Sequence, residues 1–181
     1  YNFETGEVVE ELQKPITYDW YTEVTDGYYE IDAPEELIAL SKLCNGDAEA
    51  LSTVGISEAA TFENATIDIT ADINLINYCN FEVGSWEPIG TFSGTFNGNN
   101  HTISNLYYNK TNVASASVGL FANVSNAFIR DIIVDGEIHI SGDTFDIGGI
   151  AARSSNTLFE NCISSVDITS DNEWMGCHIG G

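Results

Sequence analysis

The chain has 181 residues, a length that suits one domain with its own core, and 43% of them are hydrophobic, so it is not a disordered polyanion despite a formal charge of −23. Five basic residues (Lys14, Lys42, Lys110, Arg130, Arg153) face 28 acidic ones, which leaves no basic stripe for nucleic acid and a surface that an anionic membrane repels. No apolar run approaches the ~20 residues a spanning helix needs, so no membrane insertion is expected.

Residues 1–27 are acidic and aromatic without a sustained period. "ITYDWYTEV" has strand character but nothing local to pair with, so this segment reads as an N-terminal arm or an edge strand. The chain opens at Tyr1 with no visible signal peptide, as a processed chain or an excised piece would. Residues 28–60 read as a capping helix and loop. "IDAPEELIALSKLCNGD" offers Asp32 as N-cap, Glu35 three residues later and Pro34 in the first turn. Leu37, Ile38, Leu40 and Leu43 make an apolar face and Gly46 a stop, the one strong helix signal in the chain.

From Thr61 the period becomes two. Ile67, Ile69, Ile73 and Leu75 share a face opposite Asp68, Thr70, Asp72 and Asn74. Next comes "WEPIGTFSGTFNGNNHTISNL", with Gly90, Gly94 and Gly98 four residues apart. A phosphate cradle would need a Lys and a following helix, and neither is present. Gly94 and Gly98 instead suit corners, with Phe92, Phe96, Ile103 and Leu106 pointing inward.

An internal repeat sets the architecture. "VGLFANVSNAFIRDIIVDGEIHI" matches "IGGIAARSSNTLFENCISSVDIT" at an offset of 29, becoming 30 after the Ser/Asn turn, so that Asp131 answers Asn161 and Ile138 answers Ile168. Residues 61–181 are therefore assigned to β-helix repeats, with 118–146 and 147–176 as the clearest copies and a third begun at 177 ("HIGG"). A propeller blade needs about 40 residues, whereas ~30 residues of short strands fit one solenoid coil. Ile132, Val134, Gly136, Ile138 and Ile140 should point in, and Asp131, Asp135, Glu137 and His139 out. Cys162, Ser164, Val166 and Ile168 should hold the inward register of the next copy. The expected fold is mostly β, a right-handed parallel β-helix with one N-terminal capping helix.

"WEPIG", "FSGTFNGNNHTISNLYY", "VGLFA", "IGGIA" and "FENCIS" together resemble the GLUG-motif β-solenoid modules of microbial surface proteins over about residues 28–181. Departures are Asn97 for the usual Asp, Asn100 for Gly, and Ala122 and Ala151 for the second motif glycine. The resemblance implies an extracellular or cell-surface segment of an adhesin or large secreted protein, beside other domains, with no catalytic residues.

The residues themselves support little chemistry. Asp131, Asp135 and Glu137 share a face, which a solvated acidic surface explains better than a hydrolase pair. Asp135, Glu137 and His139 project together without an EF-hand or Asp-rich repeat, so no dedicated metal site and no cofactor are expected. His101 and His178 are expected in turns or against aromatics. Arg130 and Arg153 are too few for a polyuronate-cleaving enzyme. Cys44, Cys79, Cys162 and Cys177 lack zinc spacing; their even number suits an oxidising compartment and allows three pairings, of which Cys44–Cys79 and Cys162–Cys177 are the local choice. Asn64, Asn100, Asn109 and Asn123 head glycosylation sequons. The aromatics Trp20, Tyr21, Tyr28, Tyr29, Tyr107, Tyr108 and Trp174 would support a rival function, binding or cleaving host or environmental glycans, if they formed a solvent-facing stripe. The leading expectation is a non-catalytic extracellular scaffold or adhesion module. Its partners would be other subunits or domains of the same surface protein, joined by strand addition at the open end of the β-helix or through the N-terminal arm.

Overall fold

The structure of the chain, a computed structural model, describes residues 13–23, 26–171 and 177–180. Three short helices precede the strands: α1 (Asp19–Thr22), α2 (Pro34–Asn45) and α3 (Ala48–Val54), with strand β1 (Tyr28–Ile31) between the first two. There follow β2 (Thr66–Ile69), β3 (Ile73–Asn74), β4 (Ile89–Phe92), β5 (Thr95–Asn97), β6 (Thr102–Val118), β7 (Phe121–Ser125), β8 (Phe128–Arg130), β9 (Ile133–Gly148), β10 (Ala151–Ser155), β11 (Leu158–Glu160), β12 (Ile163–Asp171) and β13 (Cys177–Gly180).

Every pairing between these strands is parallel, in three sheets ordered β1-β2-β5-β8-β11, β3-β6-β9-β12 and β4-β7-β10, with β13 also on β9. Each coil gives one strand to each sheet, so the chain is a β-solenoid of about three turns. The repeat alignment is the ladder register. Val118 pairs with Ile147, Ile138 with Ile168, and Ile147 with Ile179. The offset changes earlier than expected, however. Phe121 already pairs with Ala151, so the added residue sits in the glycine corner at Gly148–Gly149 and not at the Ser/Asn turn.

Alternation then builds the core. Ile132, Val134 and Ile138 are fully buried and Ile140 nearly so, while Asp135 and Glu137 face outward. Phe92, Phe96, Ile103 and Leu106 are likewise sealed inside. The corners are turned by residues with positive φ, mostly Asn, whose short polar side chain tolerates that region. Asn126 stacks on Asn156 through a 2.7 Å hydrogen bond and Asp131 on Asn161 through one of 3.0 Å. The glycines answer a different demand, close backbone approach. A Cβ on Gly94 would lie 2.4 Å from the Phe62 carbonyl oxygen, and one on Gly98 would lie 2.4 Å from that of Asp131.

Three expectations about the first 60 residues are corrected. The part of the 1–27 segment that the structure describes is no edge strand: "DWYT" is the single turn α1, and Trp20 is buried against Tyr21, Tyr29 and Phe62. Residues 1–12 lie outside the described residues. Among the described residues there are three helices and not one, because α1 is helical and Asp47 caps a separate α3 by accepting from the Ala50 N–H at 2.9 Å. Finally, Asp32 is not the cap of α2. Ala33 holds that position with no side-chain bond, and Glu36 reaches back to the Asp32 N–H at 2.9 Å.

The capping role of α2 is as expected. Leu37, Leu40 and Leu43 are fully buried, and Ile38 packs against the core from the edge of that face. Ser41 Oγ donates to the Glu87 carbonyl at 2.7 Å and Asn45 Nδ2 to that of Pro88 at 2.9 Å, laying the helix along β4. Gly90 lacks a side chain for this reason: a Cβ there would come within 2.5 Å of the Cys44 carbonyl oxygen.

Candidate functional site

The two ends of the stack differ. The N-terminal end is closed by α2 and by the ring cluster of Trp20, Tyr21, Tyr29, Phe62 and Phe92. At the other end, among the described residues, no strand lies beyond β11 and β12 in their sheets. Phe159 continues the column of Ile67, Phe96 and Ile129, which are fully buried, yet is itself 38% exposed. Leu158 and Ile163 on the same rung are 60% and 53% exposed. Cys162, Val166 and Ile168 keep the inward register but are only half covered, and Ser164 is exposed. This rung repeats the side-chain chemistry of a core layer, and among the described residues no further layer covers it.

The outward face of β9 carries Asp135, Glu137 and His139 as expected. His139 Nε2 lies 3.4 Å from Glu137 Oε2, and Glu137 stacks between Tyr107 and Asp167 in the ladder. Among the described residues no group of three His, Cys, Asp or Glu side chains is arranged to hold a metal ion. Beside this face stands an element that the sequence reading passed over, the Leu75–Trp86 connection between β3 and β4. Asn80 organises it: its Oδ1 accepts from the N–H groups of Glu82 (2.8 Å) and Val83 (2.9 Å), its Nδ2 donates to Ile76 O at 2.6 Å, and its backbone bridges Gly84. The tip residue Phe81 is 80% exposed. The signal was present as two hydrophobic residues inside a turn-rich "NFEVG" between strands.

His101 does lie in a turn, with Nδ1 3.1 Å from Asp72 Oδ1. The Thr102 N–H, and secondarily His101, hold the Asp72 carboxyl below the ordinary aspartate range. The His178 side chain is outside the described residues. Arg130 lies over the Phe128 ring, 5.5 Å from its centroid, and Arg153 pairs with Asp146, so neither basic group points into a cleft with opposed carboxylates.

The cysteine pairing is a correction. Cys44 and Cys79 are separate buried thiols: Cys44 lies in the last turn of α2, and Cys79 Sγ donates to the Asn105 carbonyl at 3.4 Å. Burial pushes the Cys79 thiol up to about 11 and that of Cys44 further still, so both are poor nucleophiles at neutral pH. Cys162 is also a free thiol, donating toward the Ile129 and Glu160 carbonyls; the Cys177 side chain lies outside the described residues.

Of the sequon asparagines, Asn64 and Asn100 sit at exposed corners and Asn109 on the exposed part of β6, with its Nδ2 donating to Tyr107 Oη at 3.1 Å. Asn123 is half-buried in β7, ranked between Thr91 and Arg153. The aromatics do not form one stripe. Trp20 and Tyr108 are buried, Tyr21 and Tyr29 stack on each other, Tyr28 binds Asp68, and Tyr107 lies on a different sheet; Trp174 is outside the described residues.

No family model matches the chain, and no solved structure matches it. Over 131 residues, 67% of its length, it is 28% identical to halomucin of Haloquadratum walsbyi. The matched stretch is 1% of halomucin, so the chain is similar to a small portion of a far longer protein.

Proposed function

We propose that the chain is a non-catalytic scaffold module of an extracellular or cell-surface protein, of the GLUG-motif solenoid kind, which joins further modules or subunits through the uncovered rung of β11 and β12. The contrast between its ends carries this reading. One is closed by a helix and a ring cluster, and the other displays Leu158, Phe159 and Ile163 beside strand edges that no other described residue pairs. Such an edge is a template for strand addition, and burying a core layer supplies the driving force. Similarity to a stretch of a much longer protein supports the same reading. A net charge of −23 opposes the approach of a second identical chain, so a layer supplied within the same assembly is the favoured neighbour.

The test is a variant in which residues 147–176 are duplicated in tandem. The added coil should cover the present last rung, giving one cooperative unfolding transition at a higher temperature. An added coil that is removed by brief proteolysis, with the melting temperature unchanged, would refute the joint.

A further inference from the structure

On the flank of the stack, the Phe81 loop borders a groove of 560 Å³ that crosses three coils, from β6 through β9 to β12. Ile76, Phe81 and Tyr107 line it, together with Gly136, which carries no side chain. Four carboxylates, Glu82, Asp135, Glu137 and Asp167, also line it, and no Lys or Arg does. We propose that this groove and the Phe81 tip form a docking surface for an extended segment of a partner protein that presents basic side chains next to apolar ones.

Two independent observations meet there. The first is apolar exposure on an ordered support. Phe81, Val83 and Ile76 are 80%, 51% and 45% exposed, on a turn whose backbone is tied by Asn80 and whose far end is pinned by Ser85 to Asn109. An aromatic ring held out in water on a pre-ordered loop is suited to act as an anchor, because little conformational freedom remains to be lost on binding. The second is charge. Glu137 and Asp167 occupy directly paired ladder positions, and like charges so placed repel until a cation comes between them. A basic side chain laid across the floor meets Asp135, Glu137 and Asp167 together, while its apolar neighbour reaches Phe81 and Ile76.

The size of the groove selects the occupant. Three stacked rungs, with two spacings of about 4.8 Å between them, span the length of roughly three extended residues, so an alternating basic and apolar strand fits both features at once. This inference does not depend on the scaffold reading: Asp167 belongs to β12, but the variants tested, at Phe81, Asp135 and Glu137, leave β11 and β12 intact.

The probe is a fluorescein-labelled nine-residue peptide alternating Lys and Leu, read by fluorescence anisotropy against the full chain, with Leu/Glu and Leu/Ser peptides as controls. The Lys/Leu peptide should bind at least tenfold more tightly than either control, and more weakly as salt rises. Phe81→Ala leaves the net charge unchanged and removes an exposed ring, so its melting temperature should hold while affinity drops tenfold or more. Asp135→Asn combined with Glu137→Gln should weaken binding severalfold and flatten its salt dependence. Equal affinity of wild type and Phe81→Ala would show that the peptide senses only the overall charge and would overturn the proposal. Equal binding of the Leu/Ser peptide, or no binding of the Lys/Leu peptide below millimolar concentration, would overturn it too.

Discussion

Ile138 and Ile168 occupy the same inward column one coil apart, and truncating each to alanine measures what stacking contributes. Ile138 is fully buried, held in register between Tyr108 below and Ile168 above. Removing three carbons leaves a cavity between layers whose spacing is set by ladder hydrogen bonds, so the site cannot collapse. The cost should fall in the upper part of the range for buried Ile→Ala, about 3.5–5 kcal/mol. For a chain of this size that lowers the melting temperature by about 7–20 °C. Ile168 has a layer on one side only and is half covered. Its truncation loses roughly half of the transfer free energy and makes no enclosed cavity, so about 1 kcal/mol is expected. Urea titrations followed by far-UV circular dichroism, with the slope compared between variants, give both numbers. If the two truncations cost the same, or if Ile138→Ala costs less than about 1 kcal/mol, the stacked column is not what holds the solenoid together.

Gly98→Ala should destabilise the chain by more than ordinary helix or strand propensity, because its Cβ would lie 2.4 Å from Asp131 O and 2.6 Å from Ile132 Cα; a melting temperature equal to that of the parent would contradict the close approach of the coils. Asp47→Ala should cost about 1 kcal/mol at pH 7 through loss of the α3 cap. The Ala50 N–H and then Lys42 hold the Asp47 carboxyl below its ordinary value, so its contribution is present above the unfolded carboxylate range and is lost as pH falls through the folded value. The gap between parent and variant should therefore narrow as the pH is taken from about 4 down through the folded value, and a gap undiminished at the acid end would point to another cause. With −23 formal charges repelling one another, the melting temperature should rise between 50 mM and 1 M sodium chloride, and a flat or falling profile would show that self-repulsion is not a significant cost.

Much of this architecture is local in origin and could be read along the chain. Alternation fixes which side of each strand faces in, since a side chain two residues on returns to the same face whatever else the chain does. That is why Ile132, Val134 and Ile138 were legible as core, and why Val118 opposite Ile147 followed from repetition alone. The spacing of Gly90, Gly94 and Gly98 marked positions where a side chain could not be tolerated, but not what occupied the space. Only the stacked structure assigns Gly90 to the end of α2 and Gly98 to the next coil.

What remained hidden depends on groups distant in sequence. The strand-like "ITYDWYTEV" is a turn of helix because burying Trp20 among Tyr21, Tyr29 and Phe62 outweighs its local propensity. Cys44 and Cys79, neighbours by count, are kept in separate environments by the helix cap. The groove beside Phe81 exists because a loop that follows β3 comes together with Tyr107 of β6 and with carboxylates of β9 and β12. Sequence alone therefore determined the coil, its faces and its repeat, all of which follow from periods of two and about thirty residues. Which surfaces the coils leave uncovered was decided by tertiary structure, because exposure at a given position depends on whether another layer lies against it.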